Sequence, residues 1–246
     1  MVEEDRSKSD NEFFKAAIAG DVQTVTSLLG TTDLKATDGD GWTVLHLVVK
    51  AQNRGLTRLI LEHPQIDVNA SDNEGWTALH LAVQEQSRNL VRQLLEHPDI
   101  DVNAKNKWQS TPLMLAVTSG NIDIVESLLR HPKIKVDLKA DYYGRTALMQ
   151  AAVKGHAHIA RYLVTYGANV NVSDKTGRNN ALIEAIKNRN FDIAIYLLRT
   201  GTIDFSNREL RLQSLIWASR HRKQLYNELD HAIAVYFNRF GGHPNN

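Results

Sequence analysis

The amino-acid sequence predicts an all-α solenoid of stacked helix–turn–helix units with hairpin-like finger loops, and two observations carry that expectation. First, a six-residue block recurs: Trp42-Thr43-Val44-Leu45-His46-Leu47, Trp76-Thr77-Ala78-Leu79-His80-Leu81, Ser110-Thr111-Pro112-Leu113-Met114-Leu115, Arg145-Thr146-Ala147-Leu148-Met149-Gln150 and Asn179-Asn180-Ala181-Leu182-Ile183-Glu184. Read from Thr43, Thr77, Thr111, Thr146 and Asn180, the copies are offset by 34, 34, 35 and 34 residues, a regularity that marks a repeat array. Second, the later half of each unit repeats too, as LEHPQIDVNA, LEHPDIDVNA, LRHPKIKVDLKA and VTYGANVNVS.

In chain order, the polar residues 1–10 are expected to form a disordered N-terminal tail, followed by a single domain over 11–240. The first unit, 11–37, contains FFKAAIAGDVQTVTSLLG and reads as two short helices. Phe14, Ala17 and Ile18 mark one apolar face, Val22, Val25, Leu28 and Leu29 the next, and Gly20-Asp21 the turn between them. This unit is short and opens on polar residues, as a terminal unit capping a core must. Five fuller units follow at about 38–71, 72–105, 106–140, 141–173 and 174–207. In each, a first helix is expected to start near the Thr, which can accept bonds from free backbone donors, with Asn180 as its substitute and Pro112 suited to a first helical turn.

Gly41, Gly75, Gly144 and Gly177 fall at matched places where a turn tolerates positive φ; Trp108-Gln109 breaks that pattern in the third full unit. The pairs His63-Pro64, His97-Pro98 and His131-Pro132 are expected to end the second helices, a role passed to Tyr166-Gly167 and Thr200-Gly201 later. Residues 208–240 hold the register weakly and read as a divergent cap, whose last helix carries Leu225, Leu229, Ile233, Tyr236 and Phe240 on one stripe; 241–246 are expected to be a flexible tail.

The T-x-L-H-x-A core, the later I-V-x-x-L-L run and the closing D-V-N-A resemble the ankyrin repeat over roughly residues 11–240. The resemblance implies an architecture in which finger tips and the exposed face of the first helices line a concave groove where ligands bind. It also implies that His46 and His80 are structural hydrogen-bonding residues between loops. Through the repeat count, it extends to transcription-factor inhibitors of the NF-κB inhibitor type, built largely from such an array.

Composition narrows the chemistry. A formal net charge of +1 argues against a general attraction to nucleic acid or anionic membrane, and no run approaches the length of a membrane span. Zero cysteines exclude disulfides and thiolate chemistry. With no signal-like stretch over Met1 to Asp10, the expected compartment is the cytosol, or the nucleus if a partner carries the chain there. The His63, His97 and His131 ladder places one ring per repeat, too far apart to share a zinc ion with ligands at about 2 Å. No phosphate loop, nucleophile elbow, H-E-x-x-H or kinase motif is present, so no enzyme, metal or cofactor is expected.

What remains is surface. Trp42, Trp76 and Trp108, together with Tyr142 and Tyr143, are candidate aromatic anchors, since such rings bury much area at low entropy cost; packing against neighbouring fingers is the competing role. Asp38, Asp40, Asp72 and Glu74 make the early tips acidic, and Lys105, Lys107, Arg145, Lys175 and Arg178 make the later ones basic. That asymmetry predicts a dipolar groove that would orient a partner. A second basic group, Arg208, Arg211, Arg220, Arg222 and Lys223, lies in the cap. The expected function is a non-catalytic adaptor, scaffold or inhibitor, monomeric, that binds a partner protein through Trp42, Trp76, Trp108, Tyr142, Tyr143, Arg145, Lys107, Arg178, Asp40 and Glu74.

A second reading comes from similarity to the ankyrin part of the oligoadenylate-activated ribonuclease, in the finger Gly75 to His80 and in Asp141 to Ala152. It implies adenine stacking on Trp76 with help from Lys105 or Lys107, although Arg145 and Gln150 depart from that pattern.

Overall fold

The computed structural model describes the backbone of residues 2–139, 142–221 and 223–240, and their side chains except at 2–10, 208–210, 217, 219–221 and 240. The tail expected at 241–246 and the side chains of Arg208, Arg220, Arg222 and Phe240 lie outside the described residues. All regular secondary structure among the described residues is helical. The chain divides into two compact units, Met1–Ala116 with Asp123–Ile134, and Val117–Ile122 with Lys135–Asn246.

The first unit contains α1 (Val2–Ala19), α2 (Val22–Leu28), α3 (Val44–Lys50), α4 (Arg54–Leu61), α5 (Ala78–Gln84) and α6 (Arg88–Leu95). The boundary between units falls within α7 (Pro112–Ser119) and at the start of α8 (Ile122–Leu129). Within the first unit α1 packs on α2 and α3, α3 on α4 and α5, and α5 on α6, so each first helix touches its own partner and the next first helix. The second unit repeats the arrangement with α9 (Ala147–Lys154), α10 (Ala157–Thr165), α11 (Ala181–Lys187) and α12 (Phe191–Arg199). It ends in α13 (Arg208–His221) and α14 (Lys223–Phe240), which pack on each other and on α11 and α12 respectively.

The first helices start where the caps predict. Thr43, Thr77, Thr146 and Asn180 are the N-caps of α3, α5, α9 and α11, and Pro112 opens α7. The side chains of Thr77, Thr146 and Asn180 each accept from a backbone N–H three residues on, satisfying a donor that the helix itself leaves unpaired. Core positions follow the apolar period: Leu45, Leu56, Ile60, Leu79, Leu90 and Leu94 in the first unit, and Leu148, Leu163, Leu182 and Leu197 in the second, are all buried.

The start of the chain differs from expectation. Helix α1 takes in residues 2–10, read from sequence as a tail; no Gly or Pro interrupts the chain before Gly20. Its buried face is Phe13, Ala16 and Ala17, whereas Ile18 is 59% exposed and Phe14 half-buried. The stripe is therefore turned one position round the helix from the expected one, and Val22 in α2 is likewise exposed.

Two kinds of side-chain bridge join neighbouring repeats within the units. His46 Nδ1 accepts from the Thr43 backbone N–H at 3.1 Å, which leaves Nε2–H to donate to Trp76 O at 3.0 Å. His80 does the same, from Thr77 N at 3.2 Å and to Ser110 O at 3.1 Å. Burial drives the pKa of both rings down, that of His80 to about 4, so both are neutral at pH 7. At the other end of the repeat the Asn of D-V-N-A bridges forward: Asn69 Nδ2 donates to Asp99 O at 2.7 Å, and Asn69 Oδ1 accepts from Asp101 N at 2.7 Å. Asn103 donates to Lys133 O, and in the second unit Asn171 donates to Thr202 O and accepts from Asp204 N.

The His-Pro pairs act differently from a simple stop. Helices α4, α6 and α8 already end at Leu61, Leu95 and Leu129, and the rings of His63, His97 and His131 then accept from the backbone N–H two residues on, at 3.2, 3.2 and 3.3 Å. Each ring closes the turn that follows the helix.

Candidate protein-interaction surface

Four of the fingers are each built on one Asx residue. Asp38 Oδ1 accepts from Asp40 N and Trp42 N, while Asp38 N donates to Trp42 O at 3.0 Å, closing a hairpin-like loop. Asp72 repeats this with Glu74 N and Trp76 N, Asn106 with Ser110, and Asp174 with Thr176 and Asn179. Asp72 also accepts from the Trp42 indole Nε1 at 3.1 Å. The carboxylates of Asp38 and Asp72, read from sequence as acidic tip charges, thus also hold their turns. In the third finger Gln109 adopts φ +60° where its counterparts are glycines, so that finger keeps the common turn despite its sequence. Successive tips are also stitched together: Asn73 N donates to Asp40 O and Lys107 N to Glu74 O.

Register sorts the candidate anchors. Asp40, Glu74, Trp108 and Tyr143 each stand three residues before the capping Thr, at the tip, and all are exposed. Trp42, Trp76 and Arg145 stand one residue before it, at the finger base, and are half-buried. In the first unit, Trp42 packs near His46 with its N–H held by Asp72. Trp76 meets His80 at 5.8 Å and Trp108 at 6.2 Å, both edge to face. Trp108 itself is 56% exposed. Lys107 and Glu74 form an exposed ion pair at 3.3 Å. The ring proposed for base stacking, Trp76, therefore already has two aromatic neighbours, and the nearby Lys107 already has a carboxylate.

In the second unit, Tyr142 is 86% and Tyr143 56% exposed, edge to face at 5.6 Å. The Arg145 guanidinium lies 4.9 Å from the Tyr143 ring centre, and Lys175 Nζ lies 5.9 Å from that of Tyr142. Behind them Glu184, buried on α11, comes within 3.7 Å of Arg145. Sequence reasoning missed Glu184, although its place as the sixth residue of the block, held by Leu47 and Leu81 earlier, is the signal that could have found it. Arg178 is exposed beside its finger. In Asp174 burial favours the neutral acid, but bonds from the Asn179 and Thr176 side chains and backbone N–H groups outweigh it and hold the pKa below the usual carboxylate range. Arg211, of the basic group in the cap, is buried instead, donating to Phe205 O and lying 4.8 Å from the Phe237 ring centre.

The second helices carry a different surface. A groove of about 810 Å³ between α4 and α6 is lined by Arg54, Arg58, Arg92, Glu62 and Glu96 among others, with Arg58 and Glu62 paired at 3.0 Å. Both signs of charge mix there. No helix among the described residues is long and apolar enough to cross a membrane.

Stacked helix pairs whose polar groups are used for inter-repeat bonding, with large side chains left standing at the finger tips, define a repeat protein of the protein-interaction class. The chain belongs to the ankyrin repeat family: the family model described as ankyrin repeats (3 copies) matches residues 13–106 and 100–174. Among solved structures it is similar to the ankyrin repeat domain of Bcl-3, described as a unique member of the IkappaB protein family, with a TM-score of 0.79 and 25% identity over 89% of this chain and 97% of that one. The ankyrin repeat protein EF0377 shares the fold, with a TM-score of 0.69 and 23% identity over 76% and 96% of the two chains. None of the curated protein sequences compared with the chain matches it significantly.

Proposed function

We propose that this chain is a non-catalytic adaptor, scaffold or inhibitor that holds a partner protein against its finger tips and the adjoining face of its first helices. The observation that carries the reading is the exposure of Trp108, Tyr142 and Tyr143, at 56%, 86% and 56%, while the other finger tryptophans, Trp42 and Trp76, are half-buried. Rigid aromatic side chains presented on braced loops lose little entropy when covered, which is what hot-spot residues require. Asp40, Glu74, Lys107, Arg145 and Arg178 would supply the polar rim. Family membership supports a protein partner, and the likeness to the Bcl-3 domain supports an array used as a whole.

The test compares partner capture from host lysate by the wild type with capture by Trp108→Ala and by Tyr142→Ala/Tyr143→Ala. Because these rings are exposed, thermal melting should change by only a few tenths of a kcal/mol in stability, while retention of the partner should fall by about tenfold or more. Undiminished retention by both variants, each with an unchanged melting profile, refutes the finger-tip reading.

A further inference from the structure

We infer that the fingers of the second unit, at Tyr142, Lys175 and Arg178, form a docking site for an acidic peptide segment of a partner protein. This rests on the interaction reading above and adds the chemistry of the partner. Three observations point to it.

The first is an imbalance of charge. Neither Lys175 nor Arg178 is paired with a carboxylate among the described residues; Lys175 Nζ bonds only the backbone oxygen of Tyr142, at 3.1 Å. Among the described residues, the acids of these fingers are bonded elsewhere. Glu184 is buried and faces Arg145 at 3.7 Å, so that pair nearly cancels. Asp174 is 6% exposed, and its oxygens accept from Thr176 and Asn179. Among the described residues of the two fingers, Arg145, Lys175 and Arg178 therefore outnumber Glu184 and Asp174 by one charge, and the two exposed members of that set are both cations.

The second is preorganisation. Lys175 Nζ stands 5.9 Å from the Tyr142 ring centre and donates to the carbonyl of the same residue at 3.1 Å. Tyr142 is braced in turn, edge to face with Tyr143, over which Arg145 lies at 4.9 Å. Lys175 N also donates to Tyr143 O at 2.9 Å, tying the two finger backbones together. A cation already held in this way gives up less side-chain entropy when a carboxylate arrives.

The third is contrast with the first unit, where the tip lysine, Lys107, is neutralised by Glu74 and Asp40 adds exposed negative charge. An acidic segment is repelled by Asp40 and must compete with Glu74 for Lys107. On the second unit's fingers it meets two unpaired cations beside an open aromatic face. A peptide with a few carboxylates flanking one apolar side chain matches that set, the apolar group covering Tyr142. A nucleic acid strand gains its affinity by neutralising many phosphates, more than two cations can meet.

Fluorescence polarisation of the full chain with three labelled probes tests this: a peptide of alternating Glu and Leu, the same peptide with Lys for Glu, and an oligothymidylate of equal length. The Glu peptide should bind at low salt and weaken as salt rises. Lys175→Glu/Arg178→Glu and Tyr142→Ala should each reduce its affinity by about fivefold or more, and Arg58→Ala, which removes an exposed cation on α4, should leave it unchanged. Lys175→Ala/Arg178→Ala, which removes charge without reversing it, should give an intermediate loss, and each variant is checked by its melting profile. Absence of Glu-peptide binding, equal binding of the Lys peptide, tighter binding of the oligothymidylate, or affinity unmoved by the charge variants overturns the inference. If partner capture still depends on Trp108 or on the tyrosines, the general interaction reading survives that failure.

Discussion

Asp137 occupies the register position held by Asn69, Asn103 and Asn171 in the neighbouring repeats. It accepts from Asn169 N through both oxygens, at 3.0 and 3.1 Å, but an ionised carboxylate has no hydrogen to give to a carbonyl, as the three asparagines do. Burial pushes its pKa above the usual range despite the Asn169 bond. An acid with a raised folded-state pKa favours the fold while protonated and loses that benefit as pH rises through the folded value. Asp137→Asn should therefore raise stability at pH 7 by about 1 kcal/mol, with a gain that shrinks in acid; urea denaturation at two pH values reads this, and a lower midpoint for the variant would mean that the carboxylate is needed. His80 runs the other way. Its folded pKa of about 4 lies below the ordinary imidazole value of 6.5, so its neutral-form bonds are fully present above pH 6.5 and are lost as pH falls toward 4. The loss can reach about 3 kcal/mol, and a His80→Gln variant, although less stable at pH 7, should show a flatter fall between those limits.

At the scale of a finger, Gly75 and Gly177 separate two demands. Both have positive φ, +78° and +70°, but a Cβ on Gly75 would stand 3.0 Å from Asn106 Cα and 3.1 Å from Lys107 N, whereas one on Gly177 meets nothing within 4 Å. Gly177→Ala should cost about 1 kcal/mol for its left-handed backbone alone. Gly75→Ala adds a clash with the next finger's backbone and should cost about twice as much; equal denaturation midpoints for the two variants would refute the clash. The turn glycines and the Thr caps were legible in the sequence because their effect is local, fixed by residues a few positions away. The bridges from Asn69 and His46 were legible only in part, since their acceptors are backbone oxygens thirty residues later, and a backbone oxygen leaves no mark in a sequence. Gln109 was misleading for a related reason: neighbouring fingers impose the turn on it.

Across the whole molecule, the repeat period gave the architecture with little ambiguity, and the anchors less so. Trp42, Trp76 and Trp108 look alike as residues, yet the first two stand at finger bases and the third at a tip; reading them against the capping Thr, two positions apart, would have separated them. Asp38 and Asp72, read as tip charges, have a second role that the sequence did not show, accepting the backbone bonds that shape their turns. In a repeat array stability is a sum over neighbours, so damage should stay near where it is made. Leu229→Ala, at a fully buried site on α14, should cost about 2 to 5 kcal/mol, and in hydrogen exchange α11 to α14 should lose protection while α3 to α6 keep theirs. Uniform loss along the chain would instead indicate one cooperative block.

The forward direction of the asparagine and histidine bridges matters when the chain is made. Asn69 waits for the carbonyl of Asp99 and His80 for that of Ser110, so a repeat leaving the ribosome carries latches whose catches have not yet been synthesised. Each of these bridges can close only after about thirty further residues have been added, Asp99 for Asn69 and Ser110 for His80.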